Sequence, residues 1–120
     1  MGLIIDARKV QPIQPRFAGV VPQPLMNADL NGTVSVAMSI LTLEPGASLP
    51  AHTHPAEESF FVLEGKGQVI VNGEAHPISA ETALLASTGD VHGFTNDSDA
   101  PLRVLCIHPV GRPQSKFLEE

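Results

Sequence analysis

Gly46-Ala47-Ser48-Leu49-Pro50-Ala51-His52-Thr53-His54-Pro55-Ala56-Glu57-Glu58-Ser59-Phe60-Phe61-Val62-Leu63-Glu64-Gly65 is the stretch whose reading decides the fold. It opens at the turn signal Glu44-Pro45-Gly46 and closes at Glu64-Gly65-Lys66-Gly67, two places where glycine lets a chain reverse. Between them, Ser59 to Leu63 is a short apolar run that predicts a strand. Upstream, Val34, Val36, Met38 and Ile40 alternate with Ser35, Ala37 and Ser39, the period of two expected of a strand with one bulky buried face. Downstream, Gln68 to Val71 leads into Asn72-Gly73, a strong hairpin signal, and the chain returns through Ala75 to Ile78. Ala83 to Ala86, a Gly89-Asp90 turn, Val91 to Asn96, the polar turn Asn96 to Asp99 and Leu102 to Val110 complete the pattern. Short strands with no amphipathic segment of helical length predict an all-β sandwich or barrel.

Outside this region the pattern fades. Pro12, Pro15, Pro22 and Pro24 sit too close together for a helix and interrupt any long strand. Residues 1–32 therefore read as an irregular N-terminal arm with a short strand at Leu3 to Ile5, residues 33–110 as the barrel domain, and residues 111–120 as a polar tail. The chain has 120 residues and a net charge of −6. Its Lys and Arg are few and scattered and it has no Tyr or Trp, which argues against nucleic-acid binding. No apolar run approaches the length of about 20 residues that a membrane helix needs. The N-terminus meets charge too early for a secretory signal, and Cys106 is the single cysteine, so no intrachain disulfide forms and a cytoplasmic location is expected.

The chemistry centres on His52-Thr53-His54. In an extended segment the two rings leave the same face, their Cα atoms roughly 6 to 7 Å apart, near enough to converge on one ion. Glu58 follows in phase, and His92 opens a separate strand. Three imidazoles and a carboxylate suit Mn, Fe, Ni, Zn or Cu. Each piece also has a plainer use. A His-x-His pair arises easily, His92 can serve as a hydrogen-bonded structural residue, and a Glu after a proline loop is usually a solvated charge. Their joint spacing is what carries information.

Gly46-x5-His52-x-His54-x3-Glu58-x6-Gly65 resembles the first cupin motif at every defined position. The second motif, Gly-x5-Pro-x-Gly-x2-His-x3-Asn, is met by Gly89, His92 and Asn96, while Glu81 and Ser87 stand where the family has Gly and Pro. Those departures put loop geometry in doubt more than the ligands. The resemblance, to small single-domain microbial cupins, implies a double-stranded β-helix (jelly-roll) barrel. It also implies one divalent metal held by His52, His54, Glu58 and His92, and a homodimer.

Among the remaining candidates, Glu57 competes with Glu58 but leaves the wrong spacing to Gly65 and reads as a surface carboxylate. Asn96 is expected to bond its own turn, His76 to lie at the surface near a hairpin, and Cys106 to be a small buried hydrophobe. His108 shares strand phase with Val104 and Cys106 but fits no ligand spacing. By phase, Met38, Ile40, Phe60 and Phe94 are the expected substrate-pocket residues, with plain core as the alternative. That set holds no cation, which favours a small, mostly apolar or neutral substrate. Two classes of function remain open. One is a metal-dependent enzyme, with a dioxygenase slightly preferred over an isomerase, lyase or decarboxylase because no dedicated acid–base pair is evident. The other is a non-catalytic binding or sensor module.

Overall fold

A computed structural model describes residues 2–33 and 35–118. Among the described residues ten strands form two five-stranded antiparallel sheets. The first carries β1 (Val20–Met26), β2 (Ala37–Leu43), β9 (Leu102–His108), β4 (Glu58–Glu64) and β7 (Ala83–Ala86), in that spatial order. The second carries β10 (Lys116–Phe117), β3 (Ser48–Thr53), β8 (His92–Thr95), β5 (Lys66–Val71) and β6 (Glu74–Ser79). The sheets enclose one core of which Leu43, Val62, Phe94, Leu102 and Val104 are completely buried, each adding about 1.5–3 kcal/mol of apolar burial. This is the double-stranded β-helix that the resemblance implied. No helix among the described residues is long and apolar enough to cross a membrane.

Turn chemistry sets the strand boundaries. Asn72 and Gly73 have φ of 49° and 84°, the two positive values that a type I′ turn between β5 and β6 demands. Glu81 adopts φ 70°, the left-handed conformation that the family's glycine takes without strain. Ser87 is also explained: its backbone N–H donates to Asp90 Oδ2 at 2.9 Å, a bond that proline could not make. The other oxygen of Asp90 accepts from Asn72 Nδ2 at 3.1 Å, tying this turn to the neighbouring hairpin.

The N-terminal region departs from expectation. Leu3 to Ile5 form no strand, and a short 3₁₀ turn, Ala7–Lys9, follows them. The prolines instead lie inside β1, where Pro22 and Pro24 face Leu41 and Ser39 of β2. β1 is the edge strand of its sheet, where a missing ladder donor costs least. A four-residue helix, α1 (Ala28–Asn31), is capped by Asn27 and links β1 to β2. At the other end, Lys116 and Phe117 of the expected tail pair with Thr53 and His52. The sheets therefore reach beyond residues 33–110 on both sides.

β2 has the opposite phase to that expected. Its register sets Ala37, Ser39, Leu41 and Leu43 opposite His108, Cys106, Val104 and Leu102, and directly opposed residues share a face. The interior face of β2 is thus the odd-numbered one. Met38 and Ile40 oppose Ile107 and Leu105 on the outer face. Ile40 is nonetheless 5% exposed. Its cross-strand neighbour Gln23 donates to the Ala7 and Val10 carbonyls at 2.6 and 2.9 Å, so the arm lies across this outer face. Val34, the first residue of the alternation, lies outside the described residues.

Candidate metal centre

Four side chains from three strand ends meet at one mouth of the barrel. His52, next to last in β3, lies directly opposite His92 at the start of β8, with a register shift between Leu49 and His52; such a bulge re-aims the side chains beside it. Gly93 makes the close strand approach there feasible, since a Cβ on it would stand 2.6 Å from the Leu49 carbonyl oxygen. His54 lies just past β3, the Pro55-Ala56-Glu57 loop turns the chain, and Glu58 begins β4. One ligand atom from each of His52, His54, Glu58 and His92 lies within 4.8 Å of all the others. All four residues are buried, none more than 7% exposed.

Hydrogen bonds on the far side of each ring decide what the near side offers. His52 Nδ1 lies 2.8 Å from the Pro50 carbonyl, and His54 Nδ1 lies 2.7 Å from the Gln114 carbonyl and 3.2 Å from Ser115 Oγ. His92 Nδ1 makes a longer contact of 3.5 Å with the Asp90 carbonyl. A carbonyl only accepts, so the two short bonds place the proton of neutral His52 and His54 on Nδ1 and leave Nε2 of each as a lone pair. Yet His54 Nε2 and His92 Nε2 stand 2.9 and 3.3 Å from Glu58 Oε1. The buried His54 Nε2 makes no hydrogen bond. Lone pairs facing a carboxylate oxygen in a dry place repel unless a cation lies among them. The donor set, three imidazole nitrogens and one carboxylate oxygen, fits a divalent transition metal, and carbonyls behind ligating histidines are the usual orienting partners.

The electrostatics agree. Burial pushes the His52 ring down to about 4, against its Pro50 bond, and the nearby His92 and His54 lower it further. Burial also opposes charge on His54, but the Glu58 carboxylate and the Gln114 carbonyl outweigh it and hold that ring above its usual value. Burial alone would raise Glu58; the three histidines His108, His54 and His92 overcome it and keep the carboxyl far below its usual range. The cluster favours positive charge beside Glu58 Oε1.

The fifth histidine is part of this site. β4 and β9 set Ser59 opposite Ile107, so the next pair in register is Glu58 and His108, and His108 Nε2 lies 3.0 Å from Glu58 Oε2. Strand phase with Cys106 was the one sign of this in the sequence. The C-terminal contacts had no such sign beyond an isolated aromatic. Phe117 lies on the His52 ring at 4.8 Å between centroids and on Phe17 at 4.9 Å, while Arg16 stands over both phenylalanines.

Of the expected pocket residues, Phe60 and Phe94 lie beneath the cluster. Phe60 meets His92 edge-on at 5.5 Å and Phe94 at 5.1 Å, and both belong to the closed core. Met38 and Ile40 are on the other face of their sheet, for the register reason given above. Glu57 and His76 are exposed. Cys106 is buried, and burial raises its thiol well above the usual value. Access to the histidines is offered by a recess of about 240 Å³ between the Pro55-Ala56 loop and the segment Val110 to Gln114, with His54 and His108 in its wall. Arg112 at its rim is paired with Asp29 at 2.7 Å. A larger hollow of about 930 Å³, lined by Lys66, Gln68, Pro77, Asp97 and Asp99 among others, includes none of the cluster residues and is open to solvent.

Known proteins fit this picture. The polyketide synthase CurC of Streptomyces cyaneus is 27% identical over 103 residues, 85% of this chain and 66% of that protein. The tetracenomycin polyketide synthase protein TcmJ of Streptomyces glaucescens is 32% identical over 75 residues, 62% of this chain and 50% of that one. The chain thus spans between half and two thirds of the length of these curated relatives. The structure of the polyketide cyclase RemF from Streptomyces resistomycificus matches with a TM-score of 0.85 at 22% identity, covering 100% of this chain and 87% of that one. The family model of the cupin domain matches residues 39–108, a span that holds the whole four-residue cluster, and the chain belongs to the cupin family.

Proposed function

We propose that the chain is a divalent-metal-dependent enzyme acting on a small, mostly apolar or neutral molecule through its oxygen atoms. The observation that carries this reading is the convergence of three imidazoles and one carboxylate in a buried place beside a recess. His52, His54, Glu58 and His92 would hold the ion, which supplies Lewis acidity toward a bound carbonyl or enol oxygen. Pro55, Ala56, Val110 and Pro113 give the recess an apolar wall that keeps water away. Arg112, already paired with Asp29, leaves little unbalanced charge for an anionic substrate. His108 stands where the recess meets Glu58, 3.0 Å from Oε2, a polar neighbour of the cluster that motif spacing did not assign. Chemistry without net oxidation, of the kind that closes rings in polyketide-like polycarbonyl compounds, is our first choice, and similarity to a polyketide cyclase and to polyketide synthase proteins supports it. Oxygen activation stays as the second reading, favoured by the dry aromatic floor of Phe60 and Phe94.

The buried free thiol of Cys106 suits a reducing, cytoplasmic location. Exposed Phe61, Leu63 and Leu85 on neighbouring β4 and β7 favour pairing of two copies.

Elemental analysis of the purified protein beside His92→Ala tests the site, and pentane-2,4-dione tests the chemistry. Metal-dependent exchange of its central C–H with deuterium, without oxygen uptake, supports the Lewis-acid reading. Oxygen uptake supports the dioxygenase. Binding of the dione with neither reaction identifies a binding module, and a wild-type protein that takes up no metal sinks the proposal.

A further inference from the structure

The two oxygens of Glu58 face different partners. Oε1 lies against His54 Nε2 and His92 Nε2, at 2.9 and 3.3 Å, whereas Oε2 lies 3.0 Å from His108 Nε2. Glu58 and His108 are neighbours by strand register, not by side-chain wandering: β4 and β9 run side by side through Val62–Val104, Phe60–Cys106 and Ser59–Ile107 up to this pair. Three features hold the His108 ring in place. Its opposite neighbour on β2 is Ala37, small enough to leave room for an imidazole. Pro109 follows it and keeps its backbone extended. The His54 ring stands against it edge-on at 4.9 Å and 79°. The His108 side chain is 13% exposed, so it closes the cluster on the recess side.

From this geometry we infer that His108 is a positioning residue that ties up Glu58 Oε2 and so restricts Glu58 to one-oxygen ligation. The inference rests on the four-residue metal site and not on the reaction. A carboxylate can bind a metal through one oxygen or both. With Nε2–H of His108 donating to Oε2, Oε1 alone would be free to ligate an ion, and the place a second carboxylate oxygen would take would be left to another ligand. His108 is thereby outside the ligand set although it is a histidine touching the site, which accounts for its lack of motif spacing. Its contribution is to the shape of the coordination sphere and to the number of positions a substrate can take.

The test uses the full chain loaded with Mn(II) or Zn(II), with wild type, His108→Leu, His108→Gln and His108→Asn compared. Affinity is read by competition with a chelator, and coordination by the Mn(II) paramagnetic-resonance spectrum and zinc X-ray absorption. His108→Leu is expected to weaken metal binding by about 10–100-fold, as loss of an outer partner does, and to change the manganese spectrum as Glu58 turns to bind through both oxygens. Gln places an N–H near the position of Nε2 and should restore both readouts. Asn is too short to reach Oε2 and should behave as Leu does, which keeps the test decisive if the Leu variant does not fold. Wild-type affinity and spectrum in the Leu and Asn variants would overturn the inference. So would the loss of one histidine from the zinc shell in all three variants, because His108 would then be a ligand itself. A wild-type chain that binds neither metal removes the site and the inference together, and is recognised before any variant is made.

Discussion

Two buried polar groups sit at opposite ends of the same barrel, and they are finished in opposite ways. Asn96 is fully buried, and each of its side-chain atoms is satisfied. Nδ2 donates to the Leu43 and Ala100 carbonyls at 2.9 and 2.8 Å, and Oδ1 accepts from the Ser98 backbone and hydroxyl at 3.0 and 2.7 Å. The histidine cluster is buried almost as deeply, but the outward-facing nitrogens of His52 and His54 are satisfied while the inward-facing ones of His54 and His92 converge on a single oxygen. A closed network such as that of Asn96 serves to fix a turn, whereas an open one is stable only with a partner supplied from outside. Depth of burial is the same in both places. Where the lone pairs point separates a structural polar residue from a ligand.

Cutting each group should therefore give different symptoms. His92→Ala is expected to lower metal affinity by more than the roughly 10–100-fold typical of an outer partner, while the metal-free protein still folds; chelator competition beside circular dichroism checks both halves. Asn96→Ala should instead cost on the order of 2 kcal/mol of unfolding free energy, chiefly by stranding the buried Leu43 carbonyl. Folded molecules of that variant should keep the wild-type metal content, as measured by denaturant titration and elemental analysis. If Asn96→Ala released the metal, or His92→Ala destabilised the metal-free chain more than Asn96→Ala does, the contrast between the two ends would fail.

Acid sharpens the same contrast. In the metal-free protein the His52 ring titrates at about 4 instead of 6.5. Above 6.5 it is neutral whether the chain is folded or not. As pH falls from 6.5 toward 4 the unfolded chain takes up the proton first, so stability is lost across that window, by up to on the order of 3 kcal/mol. His54 has the opposite sign: its raised value adds stability that is complete below 6.5 and disappears as pH rises through the folded value. Glu58, held low, loses its contribution only below 4.5. Metal-free unfolding between pH 7 and 4 should thus show a net loss smaller than the His52 figure, and His52→Gln should reverse the slope. Asn96 cannot titrate, so its variant should retain the wild-type slope. The smallest effect is expected at Glu81, whose left-handed φ costs a residue with a Cβ about 1 kcal/mol. Glu81→Gly should stabilise by that order at any pH, read from the shift of the denaturation midpoint.

His52, His54 and Glu58 were legible as candidates because a His-x-His pair on a strand end, followed by a turn and a carboxylate, leaves its geometry in the spacing; His92, far away in the chain, joined them only through the resemblance to the cupin motifs. The hairpin at Asn72-Gly73 was legible for a similar reason, since two positive φ values call for those residues. β1 was not, because Pro22 and Pro24 act as strand breakers everywhere except at an edge, and edge position is a property of the whole sheet. The phase of β2 was read in reverse. Met38 and Ile40 are bulky, but the arm lies across their face, while the interior positions opposite His108 and Cys106 hold only Ala37 and Ser39. A rule that equates bulk with the interior fails on a strand covered from both sides. Gln114 enters the site through its backbone carbonyl, which its side chain does not announce.

That last contact has a consequence in time as well as in space. Among the described residues β10 is tied to β3 by two ladder pairs and the Leu118 N–H bond to the Ala51 carbonyl, so it should open more readily than the barrel beneath it. When it opens, His54 loses the carbonyl that fixes its tautomer and His52 loses the Phe117 ring that lies on it. In a metal-loaded chain the speed of exchange is expected to follow the opening of this strap, separately from how tightly the closed site binds. Arg16 and Phe17, far away in sequence, pack on Phe117 of the strap, so Phe17→Ala is expected to shorten the residence of an ion that it does not touch, read by chelator-driven release.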